Sequence, residues 1–213
     1  MGCVAGTATR RKTRPSADAS RGQILGAALE AFSESGFDGA STREIAARAG
    51  VAQSLLNYHF RSKDELWRTV VDALFEELTR TMAERAEGLQ GVDEPVVSRL
   101  LLREFIVFSA RHPELHRIIT QESKVDGPRM DWLVDHHVRP IYETIVERVR
   151  RLQGEGLIAP IPAEHLYYIV TGAGPSMFVL GPECRRLTGI DPRDDAVIEA
   201  HAEAMSRLLF GDR

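Results

Sequence analysis

The chain has 213 residues, enough to bury a substantial core, and that length suits one large domain or a small one joined to a larger. Hydrophobic residues make up 43% and charged residues 27%, an ordinary globular balance that excludes wholesale disorder and a coiled-coil rod. The formal net charge of −4 argues by itself against a nucleic-acid partner, but the charge is uneven: residues 1–68 carry ten Lys and Arg against seven Asp and Glu, or +3, and residues 69–213 carry −7.

Residues 1–19 hold Arg10, Arg11, Lys12 and Arg14 among small residues, show no hydrophobic periodicity and read as a flexible basic arm, with order starting near Ser20. They lack the apolar run of a signal peptide, and no later segment has 18 uninterrupted apolar residues, so a cytoplasmic protein without membrane contact is expected. Cys3 and Cys184 lie near opposite ends with no partner at metal-ligand spacing; no disulfide, zinc site or other cofactor is expected. From Ser20 onward Ile24, Ala27, Ala28, Ala31 and Phe32 recur at helical spacing, Ser20 and Gln23 stand at capping-box offsets, and Gly36 is placed to end the helix.

Ser41-Thr42-Arg43-Glu44 is a capping box that starts a second helix burying Ile45, Ala46 and Ala49, and Gly50 follows where a left-handed residue turns the chain sharply. A short third helix runs from about Gln53 to Phe60. Ser62 and Glu65 repeat the capping-box offsets and open a long fourth helix, whose stripe of Leu66, Val70, Leu74 and Leu78 is widened by Trp67, Val71 and Phe75. Further helices are expected near 95–111, 114–124, 128–154, 163–180 and 192–210, divided by Pro113, Asp126-Gly127-Pro128, Pro160-Ile161-Pro162 and Gly189-Ile190-Asp191-Pro192. No convincing strand or internal repeat is present. The expected fold is therefore all-α, with a three-helix head joined by a long fourth helix to a larger helical body.

Two short helices joined by a tight glycine turn have the outline of a helix-turn-helix, in which the second helix lies in the major groove of DNA and the first crosses the backbone. The basic arm and the +3 head on a −7 body favour a DNA-binding module carried by a regulatory body. Within this outline the segment from Arg21 to Leu66 resembles the tetracycline-repressor (TetR/AcrR) family, whose pattern is met by Ile45-Ala46, Ala49-Gly50-Val51, Tyr58-His59-Phe60 and Lys63-Asp64-Glu65-Leu66. The resemblance implies a ligand-responsive transcriptional regulator, a repressor released from operator double-stranded DNA by a small molecule. The corresponding division is an arm at 1–19, a helix-turn-helix domain at 20–66 and a ligand-binding and dimerisation domain at 67–213.

The same resemblance implies phosphate contacts from Thr42, Asn57, His59 and Lys63, and puts Arg43, Gln53, Ser54 and Leu55 nearest the base edges. Side-chain chemistry agrees for most of them. Arg43 can fork onto guanine, Gln53 can pair with adenine, and Leu55 can meet a thymine methyl. Lys63, in the first turn of its helix, adds a point charge to amides that already favour a phosphate. Tyr58 and Phe60 read as core rather than contact. The chain departs from the family pattern at Ala52, Ser54 and Asn57, where a Ser or Thr cap, a Gly and a Tyr are usual, and an alanine cap costs the recognition helix about 1 kcal/mol.

For the body the resemblance implies a small-molecule pocket and a homodimer built from the last two helices. Phe105, Phe108, Trp132, Tyr142, Tyr168 and Met177 supply apolar lining and His116, Gln121 and His136 polar anchors, each with a plainer reading as core. Ile169, Val170, Gly172, Ala173, Met177, Val179, Leu180, Val197, Ala200, Ala204, Leu208 and Leu209 exceed what one buried face requires; Gly172 and Gly174 allow close helix approach, and Pro175 is expected to kink or interrupt its helix.

Two rival readings are weaker. His112-Pro113-Glu114-Leu115-His116 lacks the Glu after its first His, and Gly172-Ala173-Gly174-Pro175-Ser176 follows no strand, so neither supports an enzyme. A helical adaptor whose head binds protein leaves the basic arm and Lys63 without a purpose.

Overall fold

In the computed structural model, which describes residues 17–211, the chain folds into α-helices, with no strand among those residues. Helix α1 (Ala17–Gly39) starts inside the segment expected to be an arm; Arg10 to Arg14 lie outside the described residues. Ser20 is buried within the helix instead of capping it, and Asp18 supplies the negative charge that the positive end of a helix dipole favours. Gly36, at φ 70°, breaks the regular helix as its position suggested.

Helix α2 (Thr42–Arg48) is capped by Ser41, whose Oγ accepts from the Glu44 amide at 3.1 Å. The Glu44 carboxylate does not complete the box: it pairs with Arg48 at 2.7 Å, and Arg48 also holds Glu34 of α1 at 2.8 Å. At the turn, Gly50 takes φ +67° and donates to Ala47 O at 3.1 Å, while Val51 donates to Ala46 O at 3.0 Å, so two carbonyls of the last turn are satisfied in a Schellman arrangement. Helix α3 (Gln53–His59) has Ala52 as an N-cap without a side-chain hydrogen bond. Helix α4 (Lys63–Glu87) opens with Ser62 Oγ accepting from the Glu65 amide at 3.0 Å, and the Glu65 carboxylate accepts from the Arg61 amide at 2.9 Å.

The body comprises α5 (Glu94–Arg111), α6 (Pro113–Glu122), α7 (Pro128–Leu133), a π-helical turn (Val134–Val138), α8 (Arg139–Gly154), α9 (Ala163–Val179), α10 (Gly181–Thr188) and α11 (Asp195–Phe210). The π turn divides the single helix expected over 128–154. Pro140 has no N–H, and its ring crowds the carbonyl of His136; just before it the ladder widens, with the Arg139 amide reaching Val134 O. Helix α10 was not foreseen, since no helix was expected between 180 and 192; proline in its first turn starts it, and Gly189 at φ 75° ends it. Helix α9 runs through Pro175 without interruption, against expectation. The Ser176 hydroxyl donates to the Gly172 carbonyl, and the proline is buried against the neighbouring helices.

Two apolar clusters hold these helices. The first runs from Ile24, Phe32, Ile45 and Leu56 in the head through Trp67, Val71 and Phe75 of α4 to Phe108, Leu115, Ile118 and Leu133 of the body. Head and body therefore share one core, with α1 packed on both α4 and α6. The second joins Ile106 and Val107 of α5 to Phe178 of α9 and to Ile198, Ala202 and Met205 of α11. Each fully buried large apolar side chain contributes about 1.5–3 kcal/mol. At the crossing of α5 and α9, Gly174 lets the helices approach: a Cβ there would stand 2.8 Å from Ile106 Cδ1.

Candidate nucleic-acid interface

The Schellman turn fixes α3 across α2, so that the apolar side of α3 meets the head core through Leu56 and Phe60. Its opposite side is open. Ser54, Asn57 and Tyr58, at offsets of three and four, share one exposed face, with Leu55 half-buried at its edge. Tyr58 is 80% exposed and Phe60 only 2%, so the reading of both aromatics as core holds for Phe60 alone. On this helix of seven residues the two rings, two positions apart, fall on nearly opposite sides, and Phe60 shares the side of the buried Leu56. Tyr58 is thereby a surface residue that sequence reasoning missed, and its sole signal was its place at the offset next to Asn57.

Thr42 and Gln53 stand at the first positions of α2 and α3 and are joined directly, the Gln53 Nε2 donating to Thr42 Oγ1 at 3.1 Å. The Gln53 Oε1 is enclosed without a partner among the described residues, as is His59 Nε2, so two polar groups of the head retain unused hydrogen-bonding capacity there. Arg43 is exposed on α2 and makes no ion pair with a described residue. Lys63, in the first turn of α4, is half-buried; its Nζ lies 4.5 Å from the centre of the Phe37 ring and 3.5 Å from Asp38 O. The head thus presents an apolar-backed helix face of small polar and aromatic side chains, flanked by Arg43 and by the cation at the start of α4. That is the geometry of a surface able to enter a DNA groove and take phosphates at its margin.

The nine candidate effector residues are spread over several helix contacts. They fall into separate places, for the physical reason that most of the aromatic members fill contacts between helices. Phe108 is core and stacks on His112 at 4.4 Å, while Phe105 meets the edge of His116 at 5.8 Å. Trp132 packs on Trp67 of α4 at 5.7 Å and stacks on His136 at 5.3 Å. Tyr142 packs on Tyr167 at 5.0 Å; Tyr168 is 72% exposed, and Met177 is half-buried on α9. Gln121 points to the head, donating from Nε2 to Ser33 O at 3.1 Å.

Of the nine, His136 lines an open cleft, formed with Phe75, Glu76, Thr79, His137, Pro140 and Ile141 between α4 and the π turn. There His137 Nε2 lies 2.8 Å from Asp72 of α4, and the His137 ring stacks on Phe75 at 4.5 Å. The zinc-like pair is also engaged elsewhere: His112 Nε2 stands 3.7 Å from Glu77, and His116 Nε2 lies 2.9 Å from Ser109 Oγ. Among the described residues no three His, Cys, Asp or Glu converge to hold a metal, and no helix is long and apolar enough to cross a membrane.

Residues 24–70 match the family described as bacterial regulatory proteins, tetR family. Over 209 residues the chain is 26% identical to the HTH-type transcriptional regulator RutR of Escherichia coli strain K12, covering 95% of this chain and 94% of that protein. Over 148 residues it is 29% identical to the HTH-type transcriptional regulator UidR of the same strain, covering 68% and 71%. The fold is similar to that of AibR crystallised with isovaleryl coenzyme A and operator DNA, with a TM-score of 0.72 at 19% identity over 90% of this chain and 98% of that one.

Proposed function

We propose, from the premise that this chain is a helix-turn-helix transcriptional regulator of the tetR family, that it binds operator double-stranded DNA as a homodimer and represses until a small-molecule effector releases it. The observation that carries the DNA reading is the exposed face of α3, set by the Gly50 turn, with the exposed Arg43 beside it. In that reading Arg43, Gln53, Ser54 and Leu55 address base edges, Thr42, Asn57, His59 and Lys63 address phosphates, and Tyr58 joins them by its exposure.

The dimer reading is supported by the stripes that α9 and α11 leave open. Ile169, Gly172, Ala173 and Leu180 are exposed along one side of α9, and Ala200, Ala204 and Leu208 along one side of α11. Small and apolar residues in register on two neighbouring helices suit close packing against a second copy as a four-helix bundle. For the effector, the cleft at His136 lies against α4, so a molecule seated there presses on the helix that carries the head.

Binding to the DNA that flanks the chain's own coding region, measured across a salt series, tests the function. The expected result is sub-micromolar binding of at least one fragment, weakening linearly in log–log form as salt rises. Failure to bind any fragment at low salt would remove the regulator reading.

A further inference from the structure

The corner between α6 and α7 grips the head at the end of α1. On one side Gln121 bonds to Ser33 O, and its amide lies so near Gly36 that a Cβ there would stand 2.9 Å from Oε1. On the other, Arg129 of α7 lays its guanidinium over the Phe37 ring, 3.8 Å from the centroid. Arg129 Nε also bonds to Glu122 at 3.0 Å, a carboxylate whose side chain is only 11% exposed. The same Phe37 ring carries the Lys63 ammonium at 4.5 Å. Phe37 cannot follow either cation freely, because Phe32 lies parallel to it at 6.1 Å and Trp67 meets it edge-on at 6.2 Å.

We propose that Arg129 is a positioning residue for DNA binding: through Phe37 it sets where the Lys63 ammonium stands, and so ties the α6–α7 corner to a phosphate contact. The proposal rests on the reading of Lys63 as a phosphate ligand. A lysine side chain is long and flexible, and holding its head group near the place of use lowers the ordering cost of binding. The ring supplies that hold through its negative face. Two cations draw on the π system of one ring, so Lys63 is placed without being strongly retained, and a phosphate can take it over. Glu122 neutralises Arg129, which keeps the second cation from driving Lys63 away. A shift of α6 and α7 loosens both grips together, since Gln121, Glu122 and Arg129 flank one turn.

The test uses the full chain and a fragment of its own flanking DNA that the wild type binds, with thermal melts to show that each variant is folded. Arg129→Ala is expected to weaken binding several-fold and to flatten the salt slope by up to about 0.9, the share of one phosphate contact, as does Lys63→Ala. The double variant is expected to bind no more weakly than Lys63→Ala, because one residue acts through the other. Arg129→Lys, which keeps a cation over the ring, is expected to restore most of the slope. Phe37→Leu, which removes the ring but keeps apolar volume, is expected to copy Arg129→Ala. An unchanged slope in Arg129→Ala overturns the proposal, and so do effects that multiply in the double variant, the mark of an Arg129 that touches DNA itself or acts only on stability. Absence of any binding by the wild type overturns the DNA reading and this inference with it; binding with additive effects overturns this inference alone.

Discussion

Burial pulls the His116 imidazole down to about 4 from its ordinary 6.5. The Ser109 hydroxyl donates to Phe105 O at 2.7 Å, so it accepts from His116 Nε2, which therefore carries the proton of a neutral ring. The unfolded chain takes up a second ring proton near 6.5 and the folded chain only near 4. This contribution to stability is thus complete above pH 6.5 and is lost as pH falls from 6.5 to 4, by up to about 3 kcal/mol. His116→Gln is expected to abolish that part of the acid sensitivity, seen as a smaller drop between urea melts at pH 7.5 and pH 5. Equal drops in wild type and variant would show that the ring is not held neutral. Arg43, exposed and unpaired among the described residues, is the side chain on which base choice is expected to turn. Arg43→Ala should relax preference at one base pair by about 1–3 kcal/mol, read by selection from a randomised operator pool, and unchanged preferences would exclude Arg43 from the readout.

The weak element is α3. Ala52 already has the extended backbone of an N-cap, at φ −69° and ψ 144°, but no oxygen to offer the first-turn amides. Ala52→Ser is expected to add about 0.5–1 kcal/mol of stability, measured as a higher midpoint in thermal or urea unfolding, and a midpoint that does not rise would mean that those amides already find other partners. Neighbouring helices show why caps and turns were readable from the sequence. Ser41, Gly50 and Ser62 each satisfy a group three residues away, so the relevant chemistry is contained in nearby letters. The stretch between 180 and 192 was left without a helix, although Pro182 stands where a first turn tolerates it, and α10 forms there.

At the scale of the molecule, the open stripes on α9 and α11 carry the expected assembly. Ala204→Glu places a charge on a side chain that is exposed in the single chain. It is expected to leave helicity and melting of the monomer intact while halving the mass seen by sedimentation and weakening DNA binding more than tenfold. A wild-type chain that sediments as a monomer at micromolar concentration would remove the dimer. The all-α class, the helix-turn-helix and the flank of cations around it were determined by the sequence alone, because helical period, capping offsets and charge are local properties. Tertiary structure alone decided which of two neighbouring similar residues is used. A Cβ at Gly174 would meet Ile106, while one at Gly172 would meet nothing within 4 Å; Gln121 of the body bonds to Ser33 of the head. Each of these depends on which helix faces meet, with partners tens of residues away, and no period along a single helix contains that information.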